Sequence, residues 1–549
     1  MATTQGSDTA PEWDLTTDVL IVGYGGAGVA AAIEAREAGA RVLAVDRFAG
    51  GGATAISGGI VYAGGGTAVQ RLAGVSDDAE QMYNYLALEV GDAVSEQVLR
   101  RFCAESPAMI EWLAGHGVPF HASLCPYKTS YPNNDYFLYY SGSEAAGGFR
   151  DAAVPAPRGH RAHGKGMSGQ TLFDSLAATA AGLGVDLLAY TRVTDLVTDA
   201  SGRVMGVEAE TMRQAPRWAQ KLYARLARIS DKPGVYQQDL RRIMQRRLRA
   251  LEAKYLTPIR IGAAGGVVIT TGGFIANREM VRRYAPDYRH GLPLGTAACD
   301  GSGIEMAQSL GAATDKMGEV SVWRFITPPT TLLSSVSVNR AGERIGDESR
   351  YGAAMGRELV AEHGGHGWLV LDADQMAQAR KEARTQTVWF QWLQGETLLR
   401  TRATSGQTVE EAAAKAGIDP AGVRATVDAH NAALAAGRPD PAGKPAEFVR
   451  PVRTAPFTLL DVSTAPAMTF PTPMLTLGGL VVDEETGAVR TTGGGTVPGL
   501  YAAGRAAVGI CSNSYVSGLS VADAIFSGRR AGVAAAAAQT VAAAQTTDR

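Results

Sequence analysis

The patterned part of the chain begins with an apolar run of strand length, Asp18-Val-Leu-Ile-Val22, that turns through glycines into an Ala-rich stretch ending at Ala38-Gly39. A second apolar run, Arg41-Val-Leu-Ala-Val45, closes on Asp46. This change from strand to helix and back predicts a βαβ unit. Helical spacing returns from Ser76 to Gly117, where Met82, Tyr85, Leu86, Val98, Phe102, Ile110 and Leu113 predict two helices with core-facing stripes. Runs at Val185 to Tyr190, Arg192 to Thr198 and Val204 to Glu210 read as a β-meander, with further strands at Val267 to Thr271 and Trp368 to Asp372. Val409 to Ala416 and Pro420 to Ala435 read as surface helices, and Ala436 to Ala446 as a Pro/Gly-rich connector.

Met212 to Tyr255 interrupts the meander. Arg213, Arg217, Lys221, Arg225 and Arg228 recur at helical spacing beside Trp218, Leu222, Leu226 and Ile229. After an Asp231-Lys-Pro233-Gly234 turn, Leu240, Met244, Leu248 and Leu251 alternate with five further arginines, which predicts a basic helical hairpin. Residues 211–260 hold 13 Lys and Arg against three acids, a local charge of +10 that leaves −12 for the rest of a chain of net charge −2. The favoured reading is a solvated basic face on an insertion packed against its own protein or a sister subunit. Contact with an acidic membrane or partner is the alternative, since grouped cations attract anionic lipid. No nucleic-acid motif accompanies the charge, so no nucleic-acid partner is expected.

At 549 residues the chain is too long for one hydrophobic core, and two or three packed units are expected. No apolar run approaches the roughly 20 residues that span a bilayer. Met1 to Trp13 is polar and carries neither a secretory pattern nor a twin-arginine pair, so the expected compartment is the cytoplasm, with peripheral contact at the inner membrane face left open. The four cysteines, Cys103, Cys125, Cys299 and Cys511, have no C-x-x-C spacing, which argues for buried thiols and against a metal site or iron–sulfur cluster. No metal is expected.

Chemistry concentrates first in the βαβ unit. Gly23, Gly25 and Gly28 stand at G-x-G-x-x-G spacing between strand and helix, and an acid follows about 20 residues on. Gly23 permits the turn, Gly25 lets backbone approach a pyrophosphate, Gly28 lets the helix press on the sheet, and Asp46 accepts from a ribose. The unit is a dinucleotide site.

The residues after Asp46 separate the cofactors that share this fingerprint. Gly50-Gly-Gly52-Ala53-Thr54-Ala-Ile-Ser57-Gly58-Gly59 is a second run of small residues with hydroxyls, and here the chain resembles the fumarate reductase and 3-ketosteroid dehydrogenase superfamily of flavoproteins. The resemblance extends to Val267-Val-Ile-Thr-Thr-Gly272-Gly273-Phe274, to Asp300-Gly301-Ser302-Gly303, to the substrate-domain segment Val336 to Tyr351, and to Val497-Pro-Gly-Leu-Tyr-Ala-Ala503-Gly504-Arg505. It implies an α/β fold in which a Rossmann-like, glutathione-reductase-type FAD-binding domain carries an inserted α+β substrate domain. The implied division is a disordered 1–14, FAD-binding 15–282 with the hairpin insertion 212–256, substrate domain 283–455, returning FAD-binding 456–535 and a flexible tail 536–549. The implied non-covalent FAD contacts are Gly23, Gly25, Gly26, Ala27, Gly28, Asp46, Arg47, Gly52, Ala53, Thr54, Ser57, Gly58, Gly59, Val193, Gly272, Gly273, Asp300, Gly301, Gly504, Leu519, Ser520 and Val521.

At the reacting end, Met474-Leu475-Thr476-Leu477-Gly478-Gly479 replaces the histidine of the fumarate reductase branch, and Tyr515 stands where that branch has an arginine. A dicarboxylate would lie there unpaired, at a cost of several kcal/mol. Tyr515-Val-Ser517-Gly518, with Tyr351, resembles the 3-ketosteroid Δ4-(5α)-dehydrogenases. The resemblance implies 4,5-desaturation of a small apolar ketone, a steroid. Tyr515 and the Gly518 N–H would polarise the 3-keto oxygen, and Ser517 with Tyr351 as relay would take the C4 proton while FAD receives the C5 hydride. Exchange of the Tyr515 and Ser517 roles stays open. Tyr131, Tyr139, Leu475 and Gly518 are expected to line the substrate pocket. The alternatives are a Δ1-dehydrogenase, an ene-reductase of an activated alkene, and a membrane- or partner-docked electron-transfer subunit. The electron acceptor is not named by the sequence.

Overall fold

The computed structural model describes residues 12–547 apart from 233, 235, 236, 325 and 466–471, and leaves the side chains of 390 and 540–547 undescribed. Its central sheet is built on the pattern that opens the sequence. Leu15–Val22 pairs in parallel with Val42–Asp46 on one side and with Thr257–Ile269 on the other, and Gly26–Glu37 is the connecting helix. Asp186–Ala189 extends the sheet beyond Val42–Asp46, and Thr496–Ala502 extends it beyond Thr257–Ile269. Both faces of these strands are covered, which is why Val19 to Ile21 and Val267 to Ile269 are fully buried, as parallel strands require. The small-residue faces of Gly26–Glu37 and the C-terminal helix Leu519–Thr547 pack together: a Cβ on Gly528 or Gly532 would lie 2.4 and 2.2 Å from the carbonyl oxygens of Ala27 and Ala31.

The meander is Thr191–Thr198 against Val204–Thr211 against the first half of Thr257–Ile269, all antiparallel. The inserted hairpin lies between its last two strands as the helices Arg217–Asp231 and Gln238–Tyr255. Ala219, Tyr223, Leu226, Met244 and Leu248 form a buried seam with Phe48 and Met212, so the hairpin packs on its own chain. Arg241 and Glu252 turn inward with that seam and are buried.

A separate antiparallel sheet runs Val336–Val338, Trp368–Leu371, Phe457–Asp461, Ala403–Gly406. Phe457–Asp461 therefore falls on the other side of the expected boundary at 456, because it pairs with Trp368–Leu371 and Ala403–Gly406 rather than with the cofactor sheet. Pro473–Thr476 then pairs with Leu292–Pro293 and Val320–Val322, and this small sheet joins the two units. Two expected ends also differ. The expected flexible tail from 536 continues the helix to Thr547, and before residue 15 the Asp14 N–H already donates to the Arg260 carbonyl at 3.0 Å. Residues 1–11 of the expected disordered start lie outside the described residues. No helix among the described residues is long and apolar enough to cross a membrane.

Candidate active site

One cavity of about 390 Å³ runs from the first glycine turn to the junction of the two units. At its dinucleotide end it is lined by Gly23, Gly25, Gly26, Ala27, Asp46, Arg47, Gly52, Ala53, Thr54, Ser57, Gly58, Val193, Gly272 and Asp300. Gly23 adopts φ +97°, and a Cβ there would meet the Thr270 carbonyl oxygen at 2.8 Å, so the turn requires glycine. Gly25 is different: its nearest neighbours to a Cβ lie at 3.9 Å, so this backbone faces open space where a ligand can approach. Asp46 accepts from the N–H groups of Tyr24 and Phe48 at 2.8 and 2.7 Å, and burial raises its pKa against those bonds.

Five residues expected at the cofactor do not line the cavity. Gly28 gives the helix its closeness to the sheet, a Cβ there lying 2.1 Å from the Gly23 carbonyl oxygen. Gly59, Gly273 and Gly301 are likewise packing glycines, against Ser168, Thr476 and Met280, and Leu519 is wholly buried in the core. Gly504, Ser520 and Val521 line the cavity where the C-terminal helix begins. Arg47 lines it too, but its guanidinium is held by Glu252 and Asp300, each at 3.1 Å. The Thr271 hydroxyl and the Arg505 Nη1 are buried without hydrogen-bond partners among the described residues, and both residues line this half. Donors left unsatisfied beside an open glycine turn suit a phosphorylated dinucleotide such as FAD.

The other end is walled by Trp323, Ile326, Leu332, Leu399 and Leu475 and carries a set of hydroxyls. Tyr515, Ser517 and Gly518 belong to the loop that starts the C-terminal helix. The Gly518 carbonyl accepts from the Tyr62 N–H at 3.1 Å and the Ser517 carbonyl from the Ser141 hydroxyl at 3.1 Å, which pins the loop from two sides. Gly518 sits at φ +89°, where a Cβ would come within 2.7 Å of Ile60, so no other residue type fits without displacement. The Tyr515 ring meets Trp323 edge-on at 5.0 Å and stacks near Tyr351 at 6.4 Å. Burial pushes the Tyr515 phenol above its ordinary pKa, opposed by the charge of Arg505 and by the nearby Gly518 N–H. Burial, aided by the neighbouring Tyr515 and Tyr139, raises the Tyr351 phenol well above its ordinary value, against a hydrogen bond with Ser517.

Tyr131 lines the cavity, with its hydroxyl donating to the carbonyls of Gly58 and Gly166. Tyr139 does not. It is fully buried behind the wall, with its hydroxyl 3.3 Å from the Ser517 Oγ, so the expected wall residue is a second hydroxyl in contact with Ser517. Sequence reasoning also missed Trp323, Ile326 and Arg324, which follow the short strand Val320–Val322 and line the apolar end. Arg324 Nη2 donates to the Ser463 carbonyl and the Thr472 hydroxyl, and burial lowers its pKa to about 9. A guanidinium committed in this way differs from a pair of arginines converging on a dicarboxylate.

The sequence profile of the FAD binding domain family matches residues 18–518. The chain is 36% identical over 509 residues to the 3-oxo-5-alpha-steroid 4-dehydrogenase of Comamonas testosteroni, covering 91% of this chain and 94% of the relative. Among solved structures it resembles the 3-ketosteroid-Δ4-(5α)-dehydrogenase of Rhodococcus jostii RHA1 in complex with 4-androstene-3,17-dione, with TM-score 0.81 and 32% identity over 97% of this chain and 99% of that one. The 3-ketosteroid Δ1-dehydrogenase of Sterolibacterium denitrificans shares the fold at TM-score 0.65 and 18% identity, over 95% of this chain and 99% of that one.

Proposed function

Because the chain belongs to the FAD-binding flavoprotein family, in the branch that includes 3-oxo-5-alpha-steroid 4-dehydrogenase, we propose that it is an FAD-dependent dehydrogenase introducing the 4,5 double bond into a 3-ketosteroid. The observation that carries the reading is the apolar end of the cavity, where Tyr515, Ser517 and Tyr351 supply hydroxyls among Trp323, Ile326, Leu332 and Leu475. An uncharged ketone of steroid shape is matched by such walls. A dicarboxylate would be desolvated there, with the Arg324 guanidinium turned to the Ser463 carbonyl and the Thr472 hydroxyl.

The α-proton of a saturated ketone is too weakly acidic for a side chain to remove unless donors hold the developing enolate oxygen. The Tyr515 hydroxyl and the Gly518 N–H lie together, and both can donate to a 3-keto oxygen that enters between them. Ser517 then stands as the group that receives the C4 proton. Serine is a weak base by itself, so its contacts matter: Tyr139 lies at 3.3 Å and Tyr351 is in hydrogen-bond contact, and either of them, as its phenolate, takes the serine's own hydroxyl proton as Ser517 Oγ receives the one from C4. FAD, when bound, supplies the acceptor for the hydride released from C5. The glycine turn at 23–28 and the unsatisfied donors of Thr271 and Arg505 are the groups we assign to holding it.

Anaerobic mixing of the FAD-loaded protein with 5α-androstane-3,17-dione is expected to bleach the oxidised flavin spectrum and release the 4-ene product, with loss of a deuterium placed at C5. Absence of bleaching by any saturated 3-ketosteroid, with reoxidation of reduced protein by an enone, would replace the proposal with the ene-reductase reading. Loss of label from C1 and C2 instead would move it to the Δ1 reaction.

The outer face of the hairpin supports a peripheral contact as a second reading, because Arg242, Arg246, Arg247 and Arg249 are exposed together with Ile243 and Trp218. At about 1 kcal/mol per cation near an acidic surface, these charges, with Arg242 partly offset by Asp239 at 2.8 Å, suffice for salt-sensitive attachment. Pelleting with phosphatidylserine vesicles is expected at low salt, and is expected to vanish in an Arg242→Gln, Arg246→Gln, Arg247→Gln variant. Equal pelleting of that variant would dismiss the contact.

A further inference from the structure

The hairpin has an inner face as well, and that face reaches the cofactor cavity. Four side chains carry the contact. Glu252, on the second helix, holds Arg47 at 3.1 Å and accepts from the Tyr223 hydroxyl at 2.7 Å, and the Tyr223 ring stacks on Phe48, so the hairpin grips the residues that follow Asp46. Arg241 donates to the carbonyls of Pro293 and Gly295, at 2.9 and 2.5 Å, which fixes the opposite rim of the same end, since Gly295 lines the cavity. Between these two anchors Asp231, the last residue of the first helix, itself lines the cavity.

Asp231 is poorly satisfied where it stands. Its Oδ1 is buried with no hydrogen-bond partner among the described residues. Burial raises its pKa to about 7, opposed by Arg241 and by the Ala297 N–H and reinforced by the charge of nearby Asp46. A carboxylate kept at the wall of a ligand cavity, beside the acid that meets a dinucleotide ribose, lacks a donor that the protein does not provide.

We propose that Asp231 is an FAD-binding residue supplied by the inserted hairpin, accepting a hydrogen bond from the adenosine half of the cofactor. Two donors of that half have the right chemistry, the adenine exocyclic amine and the ribose hydroxyls. The hairpin thereby becomes a wall of the cofactor site, clamped on both rims by Glu252 and Arg241, with Asp231 aimed inward. The proposal rests on FAD as the cofactor and is independent of which ketone is oxidised.

The test measures FAD retention rather than turnover. Holoenzyme is diluted stepwise and released FAD is followed by its fluorescence, for the wild type and for Asp231→Ala and Asp231→Asn. A hydrogen bond to a charged acceptor contributes about 1.5–3 kcal/mol, so the alanine variant is expected to release FAD with a Kd about 10- to 100-fold higher. The asparagine variant, which retains an acceptor oxygen, is expected to fall between. Wild-type apoprotein reconstituted with FAD analogues distinguishes the donors: one with hypoxanthine in place of adenine lacks the amine, and 2′- and 3′-deoxyadenosine analogues lack one ribose hydroxyl each. A Kd raised about tenfold or more by one of these in the wild type, but not further in Asp231→Ala, identifies the donor to Asp231. The proposal is overturned if no analogue weakens binding in the wild type, an arm that does not depend on any variant folding. It is equally overturned if folded Asp231→Ala retains FAD within twofold of the wild type.

Discussion

Tyr515→Phe and Ser517→Ala are each expected to slow steroid desaturation by about 10²–10⁴-fold, the scale typical of a positioned acid or base, while leaving FAD bound. The cavity is the reason for so large an effect. Around Tyr515 the walls are Trp323, Tyr351 and Leu475, none of which carries a charged donor to replace the lost phenol. Phenylalanine keeps the ring contact with Trp323 and removes only the hydroxyl. The two variants differ in what else changes. Loss of a donor to the 3-keto oxygen weakens the enolate and raises the barrier to C–H cleavage, so in Tyr515→Phe a deuterium isotope effect at C4 should grow. Ser517→Ala leaves Tyr139 and Tyr351 facing a methyl group, and a partial activity that rises with pH would indicate that one of these phenols then receives the proton directly. Both phenols are held above their ordinary pKa by burial, so such rescue would appear only at alkaline pH. Stopped-flow reduction of the flavin measures all of this. Near-normal reduction rates in both variants would remove the assigned roles.

The sequence made the dinucleotide unit readable because every part of it is local: strand, turn, helix, strand and acid lie in one continuous stretch with a change of period at each joint. The hydroxyl set was readable in part for the same reason, since Tyr515, Ser517 and Gly518 share one loop. Tyr139 was not, because its contact with Ser517 spans 378 positions and its neighbours Tyr136 and Tyr140 have the same composition and other environments. The hairpin illustrates the limit more sharply. Its helices and its amphipathic seam follow from spacing, but Arg241 stands next to Arg242 in a run of arginines, and only packing makes the first buried and the second exposed. Asp231 reads as a turn acid in sequence and lies at the cofactor cavity in space. The misplaced boundary at 456 has a similar origin. Phe457–Asp461 is a short, mostly apolar run that suits either sheet, and long-range pairing with Trp368–Leu371 decides between them.

Glu348→Gln is expected to destabilise the protein by about 3–5 kcal/mol, the cost of leaving a buried cation without its partner. Glu348 and Lys444 are fully buried and lie 2.6 Å apart, and Arg344 reaches the same carboxylate at 2.8 Å. Lys444 also donates to the carbonyls of Leu333 and Ser335, and the Ser337 N–H donates to Glu348, so this network ties the strand Val336–Val338 to the connector around 444. Burial by itself would raise the Glu348 carboxyl, but Lys444 and Arg344 more than offset it and hold the group below its ordinary range. A carboxylate with a depressed folded pKa contributes stability that is complete above its unfolded value and is lost as pH falls through the folded one. Wild type should therefore keep this contribution through mildly acid conditions, and Glu348→Gln should lower the thermal midpoint most at neutral pH, with the difference from wild type shrinking on acidification. The segment concerned leads directly into Tyr351, whose N–H donates to Ser143 at 3.0 Å, so steroid turnover should fall together with stability. Pairing Glu348→Gln with Lys444→Met removes the uncompensated ammonium and should recover part of the loss. If the double variant were no more stable than Glu348→Gln alone, the penalty would lie in packing around position 348 and not in the stranded charge.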